Sequence, residues 1–300
     1  MTTAEPSNNK AALWMGGWLA AMLMMAVAGR ETARVISVFQ VMELRAVIGF
    51  FMLLPLVMVA GGFGAMKTQH PLRHVSRNVV HYGAQYAWLV AVTMIPLAQV
   101  VSIEFTMPIW TAVLAVFFLG ERMNRWKIMA IVLGLVGVWI IIRPSAASVD
   151  VGQLISLAAA IGFSISVTLV KKLTQTDSVV RIIFWMLIIQ GVIGLIPAYL
   201  YWQPIPNDLW GWIVIVAFCG TFSHYCMARA MTHADATIVV PMDFLRVPLT
   251  AVAGWLVYSE AIDVYTATGA VLILLGNMLN LKSAAKPVLV VAKPQAGDPL

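Results

Sequence analysis

Charged residues are scarce in this sequence of 300 residues: they make up 11% of it, whereas hydrophobic residues make up 61%. Soluble globular domains carry about 25% charged residues and about half apolar ones, so the chain does not have the composition of a soluble globule. The apolar runs are long and continuous and lack the two-residue alternation of a transmembrane barrel. The sequence therefore predicts an all-α membrane protein.

Several signatures of other protein classes are also missing. The sequence contains no P-loop, no HExxH motif and no cysteine and histidine ligand spacing, so we expect no cofactor and no metal. The first apolar run, residues 11–29, lacks a small-residue cleavage site followed by a soluble domain, which predicts a retained span. Cys219 and Cys226 lie on one predicted helix, about 10 Å apart along its axis, too far for a disulfide bond.

Hydropathy predicts ten transmembrane helices, with boundaries uncertain by a few residues. They are residues 11–29, 35–60, 75–95, 98–119, 125–142, 151–171, 179–201, 209–231, 235–258 and 263–281. An even number places both termini on one side, and most of the 19 basic residues then fall in loops on that side, with Arg30, Arg34 and Arg143 opposite. The positive-inside rule predicts that both termini, including the tail 282–300, are cytoplasmic. The net charge of +6 thus indicates contact with membrane lipid and no nucleic-acid partner.

One apolar run occurs twice. Residues 100–121 (VVSIEFTMPIWTAVLAVFFLGE) recur 139 positions later as residues 239–260 (VVPMDFLRVPLTAVAGWLVYSE), without a gap. The shift places Asp243 on Glu104 and Glu260 on Glu121. Similarity at a fixed period indicates that the chain contains two copies of one unit.

The two copies are predicted to have opposite orientations in the membrane. Each copy, residues 11–143 and residues 151–281, holds five spans, and an odd number makes the second copy enter from the other side. The loop GERMNRWK after the fourth span carries three basic residues, whereas its copy SEAIDVY carries none. Inverted repeats around a site near the middle of the bilayer are typical of secondary transporters.

Ionisable and polar residues inside spans usually face a bundle interior or a water-filled path. The predicted spans hold eight such groups: Glu43, Arg45, His81, Gln85, Glu104, His224, Asp243 and Arg246. His81, Gln85 and Trp88 share one helix face, and the repeat places His224 and Tyr225 on Gln85 and Tyr86. This polar and aromatic face either lines a pocket for an amphipathic solute or consists of core residues bonded across helices.

The carboxylates Glu104 and Asp243 are the most informative of these groups. Pro108 lies four residues after Glu104 and removes a helical hydrogen-bond donor, and broken helices at membrane depth mark binding sites in transporters. Asp243 and Arg246 are spaced for an ion pair on one helix, so we expect replacement of Asp243 to leave Arg246 unpaired. Arg45 has no partner on its own helix, and Glu104 is one candidate.

Glu104 is also predicted to couple transport to protons. A carboxylate that gains and loses a cationic neighbour can lose and gain a proton. The alternative is that Glu104 only ties helices together.

Several motifs resemble the EamA family of the drug/metabolite transporter superfamily. They are Leu119-Gly120-Glu121-Arg122 with Tyr258-Ser259-Glu260, the sequence PIWTAV at residues 108–113, and Gly134 and Gly137 before Arg143-Pro144. The second copy departs from the pattern with Ser259 in place of Gly120. The resemblance covers residues 11–281.

The resemblance implies ten spans in two inverted five-helix halves, in the bacterial inner membrane. The solute it implies is a small organic metabolite, such as an amino acid or a vitamin, moved by alternating access, and we expect efflux. Together with the polar faces it predicts these substrate-binding residues: Trp18, His81, Gln85, Trp88, Glu104, His224, Tyr225, Asp243 and Arg246. The competing hypothesis is an intramembrane enzyme that uses buried histidines and carboxylates. The chain is expected to act as a monomer or a homodimer.

Overall fold

The computed structural model describes residues 7–119, 125–142, 150–174, 176–231, 233, 239, 242–261 and 263–284. Within these ranges the chain is helical and contains no strand. The α-helices are α1 (Asn8–Val35), α2 (Val38–Val59), α3 (Pro71–Met94), α4 (Leu97–Glu104), α5 (Met107–Leu119), α6 (Arg125–Ile142), α7 (Val151–Leu173), α8 (Val179–Leu200), α9 (Trp210–Met231), α10 (Arg246–Tyr258) and α11 (Val264–Ala284). Short 3₁₀ helices, Phe63–Met66 and Asn207–Leu209, precede α3 and α9.

The starts of several helices follow from local chemistry. The first backbone N–H groups of a helix have no partner within it, so a side chain that accepts from them stabilises the start. The Asp150 carboxylate accepts from the backbone N–H of Gly152 at 2.8 Å, and the Ser178 hydroxyl accepts from that of Arg181 at 3.3 Å. Pro71 occupies the first turn of α3, where its missing N–H costs nothing.

Six helical segments are long and apolar enough to cross a membrane. They are Asn9–Val35, Val38–Val59, Arg125–Ile142, Val151–Val170, Val179–Leu200 and Asn207–Met227, and a shorter apolar helical segment runs over Val264–Leu279. The chain is therefore an all-α integral membrane protein. The described helices lie close to the predicted apolar runs, and the count of ten spans stays a prediction.

The predicted fourth span is not one continuous helix. It divides into α4 and α5 at Phe105 and Thr106, one turn before the proline that predicted a break. Asn277 Nδ2 of α11 donates to the Phe105 carbonyl at 2.7 Å, and the Thr106 hydroxyl donates to the Ile103 carbonyl at 2.7 Å. Side chains thus satisfy carbonyls at the break, as buried backbone in a membrane requires.

One further sequence-based expectation is wrong, and others concern residues outside the described ranges. The tail was expected to be non-helical from Lys282, which is wrong for its first residues, because α11 continues through Ala284. Residues 285–300, the loop 120–124, Arg143-Pro144 and Pro241 lie outside the described residues. α10 begins at Arg246 and ends at Tyr258, and the next residue, Ser259, has a positive φ of 55°.

The helices pack in pairs drawn from the beginning and the end of the chain. α1 packs on α9, α2 on α8, α3 on α7, α4 on α10, and α6 on α11. Gly137 and Gly269 allow α6 and α11 to approach closely, because a Cβ on Gly137 would lie 2.7 Å from the Gly269 carbonyl oxygen. Nearly every residue of the short α4 is buried, so Glu104 at its end lies in the protein interior.

Candidate functional site

An ion pair joins α4, which ends at a helix break, to α10, which begins at one. Glu104 is the last residue of α4 and Arg246 is the first of α10. Arg246 Nη1 donates to Glu104 Oε1 at 2.8 Å, and the side chains are only 6% and 11% exposed. Buried charges are strongly unfavourable unless they are paired and hydrogen-bonded. The pair therefore stabilises the contact between the two halves of the chain.

Three further side chains extend this pair into a network. Arg246 Nε lies 3.3 Å from Asp243 Oδ1. The Trp18 indole N–H donates to Asp243 Oδ1 at 2.6 Å, and the Trp88 indole N–H donates to Glu104 Oε2 at 2.8 Å. Each carboxylate thus accepts a hydrogen bond from one indole N–H, and both carboxylates contact the same guanidinium. We call Trp18, Asp243, Arg246, Glu104 and Trp88 the carboxylate network.

Two phenylalanines related by the repeat pack beside the carboxylate network. The Phe105 and Phe244 rings meet edge to face with centroids 5.7 Å apart. The Arg246 guanidinium lies 4.8 Å from the centre of the Phe105 ring, close enough for a cation–π interaction. The aromatic rings and the two carboxylates hold the guanidinium in place.

The structure corrects two expectations about charge pairing. Arg45 was given Glu104 as a candidate partner, but Arg45 Nη1 donates to Gln85 Oε1 at 2.6 Å. Glu104 instead accepts from Trp88 and Arg246, because α4 packs on α10 and α3. The expected loss of all pairing at Arg246 on replacement of Asp243 is wrong for the same reason, since Glu104 remains.

The predicted polar face of α3 is buried against neighbouring helices. His81, Gln85 and Trp88 are at most 9% exposed. His81 Nδ1 lies 3.2 Å from the Ser166 hydroxyl of α7, and the His81 ring centroid lies 6.5 Å from that of His224 on α9. His81 thus meets helices of the second half, whereas Gln85 and Trp88 bond to Arg45 and Glu104 of the first half.

Tyr225 packs against α1. Its ring meets the Trp14 ring of α1 edge to face at 5.7 Å. Tyr86, its equivalent in the first copy, stacks on Phe39 at 4.5 Å. The two repeat-related tyrosines thus pack against aromatic rings of different helices.

Glu260, the last residue of the repeated run, has a role that sequence reasoning missed. Its carboxylate pairs with Arg30 and also accepts from the backbone N–H of Leu97 at 3.0 Å. Arg30 was assigned to a loop, but it lies within α1, is buried, and stacks 4.4 Å from the Tyr258 ring. Glu260 thereby links α1 and the start of α4 to the end of α10. The recurrence of Glu121 as Glu260 was the available signal.

A second polar cluster centres on Asp177, which lies outside the membrane spans, between α7 and α8. Asp177 accepts from Arg181 Nη1 at 2.7 Å and from the Thr68 hydroxyl at 2.9 Å, and His74 Nε2 lies 2.8 Å from it. Burial raises the pKa of Asp177, but the hydrogen bonds from Arg181, His74 and Thr68 outweigh it and lower the pKa below its ordinary value. This cluster ties the start of α3 to α8.

Nowhere in the described part of the chain do three or more His, Cys, Asp or Glu residues lie together as potential metal ligands. Cys219 and Cys226 are buried and free, as their spacing predicted.

Comparison with known proteins identifies the family. The model of the EamA-like transporter family matches residues 10–143 and 150–282. A solved crystal structure of a protein covers 93% of this chain and 100% of its own, with a TM-score of 0.64 and 16% identity, which indicates a shared fold.

Three curated relatives are transporters by name. The S-adenosylmethionine uptake transporter of Rickettsia prowazekii (strain Madrid E) is 27% identical over 83% of this chain and 84% of its own length. The riboflavin transporter of Rhizobium johnstonii is 29% identical over 74% of each chain. The pseudopaline exporter of Pseudomonas aeruginosa (strain UCBPP-PA14) is 27% identical over 81% of this chain and 86% of its own.

The family model matches two segments that together span nearly the whole chain. The apolar helices and the buried polar network are in keeping with that assignment. The chain belongs to the EamA-like transporter family, and it is a small-molecule transporter of the membrane rather than an enzyme.

Proposed function

We propose that the protein is a secondary transporter that moves a small organic metabolite across the bacterial inner membrane by alternating access. Its two halves, residues 11–143 and 151–281, are inverted five-helix repeats, and both termini and the tail 282–300 are cytoplasmic. Exchange of conformations between two such halves opens a central site to each side in turn.

The pattern of helix packing supports this arrangement. α1 and α7 are the first helices of the two halves, and α3 and α9 are the third ones. α1 packs on α9, and α7 packs on α3, so the same contact occurs twice with the halves exchanged. A twofold relation between inverted halves accounts for this reciprocity.

The Glu104–Arg246 ion pair is the observation that carries the proposal. It connects the halves at the points where α4 ends and α10 begins, and such breaks at membrane depth form solute and ion sites in transporters. Neither charge of a buried ion pair is tolerated without a partner. When the two halves move relative to each other, a solute or a proton must therefore take the place of one of the partners.

We assign the solute-binding role to the nine residues that the sequence predicted. They are Trp18, His81, Gln85, Trp88, Glu104, His224, Tyr225, Asp243 and Arg246. Indole, imidazole and phenol groups offer an apolar ring with a polar edge, which suits a solute with ring and polar parts. Relatives named for S-adenosylmethionine, riboflavin and pseudopaline support a small organic solute. They include uptake and export proteins, and outward transport stays our prediction.

Ligand-dependent stability of the purified protein tests the proposal. A metabolite panel that includes the three solutes named above should contain a compound that raises the unfolding temperature, because a ligand of the folded state stabilises it. That compound should then exchange in counterflow across proteoliposomes. Absence of any stabilising or exchanging compound in the panel would contradict the proposed solute class.

Matched tryptophan variants locate the binding site. Trp88→Phe removes the indole donor to Glu104, and we expect affinity for the stabilising compound to fall by about tenfold. Trp139→Phe changes a tryptophan that is 66% exposed on the outer surface of α6 and should leave affinity unchanged. Equal effects of both substitutions would place binding elsewhere.

A further inference from the structure

Two arginines of α2 and α3 are buried and, among the described residues, have no acidic partner. Arg45 is 3% exposed and Arg77 is 4% exposed. Arg77 lies two helical turns before Gln85 on the same face of α3, and Gln85 accepts from Arg45, so both arginines lie along one face of α3. Among the described residues, the ion pairs of the chain include neither arginine. Arg77 was expected in a loop, but it lies within α3.

The contacts of both guanidinium groups are with neutral amides. Arg45 Nη1 donates to Gln85 Oε1 at 2.6 Å, and Arg77 Nη1 donates to Asn78 Oδ1 at 2.7 Å. Arg45 Nε, Arg77 Nε and Gln85 Nε2 are buried and meet no acceptor in the described part of the chain. Buried donors without partners are costly, so each needs a physical explanation.

The neighbouring carboxylates do not neutralise these charges. Glu104 is engaged by Arg246 and Trp88. Glu43 lies two positions from Arg45 and therefore points to another side of α2, where it lies against Gly194 of α8. His81 lies between Arg77 and Gln85 on α3, and its ring centroid is 6.5 Å from that of His224; neither imidazole adds negative charge.

We infer that Arg45 and Arg77, together with the side-chain amide of Gln85, bind an oxyanion: the carboxylate or phosphate group of the transported solute. A guanidinium presents several donors in a rigid fork that matches carboxylate and phosphate oxygens. A bound oxyanion supplies both the missing negative charge and the missing acceptors. Gln85 places this group one helical turn from Trp88 on the same face of α3, so the oxyanion binds beside the carboxylate network. The inference rests on the proposed function, because it names the chemistry of its solute.

Anion-dependent stability tests this site without a transport measurement. The purified full chain is heated in sodium phosphate, sodium sulfate or sodium succinate, with sodium chloride at equal ionic strength as the reference. We expect at least one oxyanion to raise the unfolding temperature of the unsubstituted protein by several degrees relative to chloride. The double variant Arg45→Gln/Arg77→Gln should lose that rise.

Arg73→Gln is the matched control. Arg73 lies on the same helix as Arg77 but is exposed, so this variant should keep the oxyanion effect. If the double variant does not fold, Arg45→Lys and Arg77→Lys provide the test. They keep the charge but lose the guanidinium fork, and half-saturation should require about tenfold more oxyanion.

The source of the oxyanion is distinguished by comparing each organic acid that stabilises the protein with its amide. A rise with the acid and none with its amide shows that a solute carboxylate occupies the site. A rise with phosphate or sulfate alone shows that a free inorganic anion does. Absence of any oxyanion effect, or its persistence when both arginines are replaced, would overturn the inference. Either result leaves counterflow of a neutral solute, and with it the proposed function, untouched.

Discussion

Arg246 Nη1 donates to Glu104 Oε1 at 2.8 Å, although the two residues belong to different copies of the repeated run. Asp243, the repeat equivalent of Glu104, lies three positions before Arg246, ahead of α10, and contacts the same guanidinium at 3.3 Å. Two equivalent carboxylates thus share one buried arginine. Because two carboxylates contact one guanidinium, either carboxylate can separate from it while the other stays in contact.

The shared arginine predicts non-additive losses of stability. Glu104→Gln and Asp243→Asn each leave Arg246 one carboxylate, so each alone should have a modest effect. The double variant leaves the guanidinium without either carboxylate, and we expect an additional cost of roughly 3 to 5 kcal/mol. Unfolding of the purified variants in detergent measures the coupling. Asp208→Asn, at an exposed site, is the control, and strictly additive losses would contradict the shared pairing.

The Asp177 cluster predicts a loss of stability in acid. Its pKa is lowered from the ordinary value of 3.8, so the folded state binds the proton less readily than the unfolded state. The contribution of Asp177 is therefore fully present above about pH 4 and is lost as the pH falls through the folded pKa. The unfolding temperature should therefore fall as the pH is lowered below about 4, and Asp177→Asn should reduce this dependence. An unchanged dependence in that variant would contradict the role of the cluster.

The solute-binding assignment predicts which positions water reaches. In a background with Cys219 and Cys226 replaced by alanine, Gln85→Cys and His224→Cys should react with a small water-soluble thiol reagent. The stabilising compound should slow both reactions. Ala91→Cys, at a fully buried position of α3, should stay unreactive. If cysteines at positions 85 and 224 are inert with and without solute, this lining is wrong.

The topology prediction concerns the two ends of the chain. A reporter that is active only in the periplasm, fused after Leu300, should give no signal, because an even number of spans and the positive-inside rule keep both termini in the cytoplasm. The same reporter fused within the loop after Arg143 should be active. A strong signal from the C-terminal fusion would contradict the ten-span count.

Residues close together in sequence were the predictable part of the site. The shared face of His81, Gln85 and Trp88 follows from helix geometry alone, and the apolar runs locate the helices. Asp243 and Arg246 do pair, as their spacing predicted, but not on one helix, because α10 begins at Arg246. The partner of Glu104 did not follow, because it lies 142 positions away and helix periodicity does not determine which helices become neighbours.

Two arginines show the same limit of sequence reasoning. Arg30 and Arg77 were counted with loop charges, since a basic residue near the end of an apolar run usually reaches solvent. In the structure both are buried within helices. Burial of Arg30 depends on Glu260, 230 positions further along the chain, and hydropathy carries no information about that contact.

Transport by Glu104→Gln in proteoliposomes tests the central claim most directly. The amide keeps a single acceptor oxygen, for Arg246 or for Trp88, in place of the two carboxylate oxygens. It cannot exchange a proton, and Asp243 still pairs with Arg246. We therefore expect this variant to fold, reach the membrane and bind solute as the unsubstituted protein does, while solute flux no longer responds to an imposed pH gradient. Flux that still rises with the gradient in Glu104→Gln, or a loss of protein yield as the sole change, would contradict a transporter in which Glu104 carries the coupling proton.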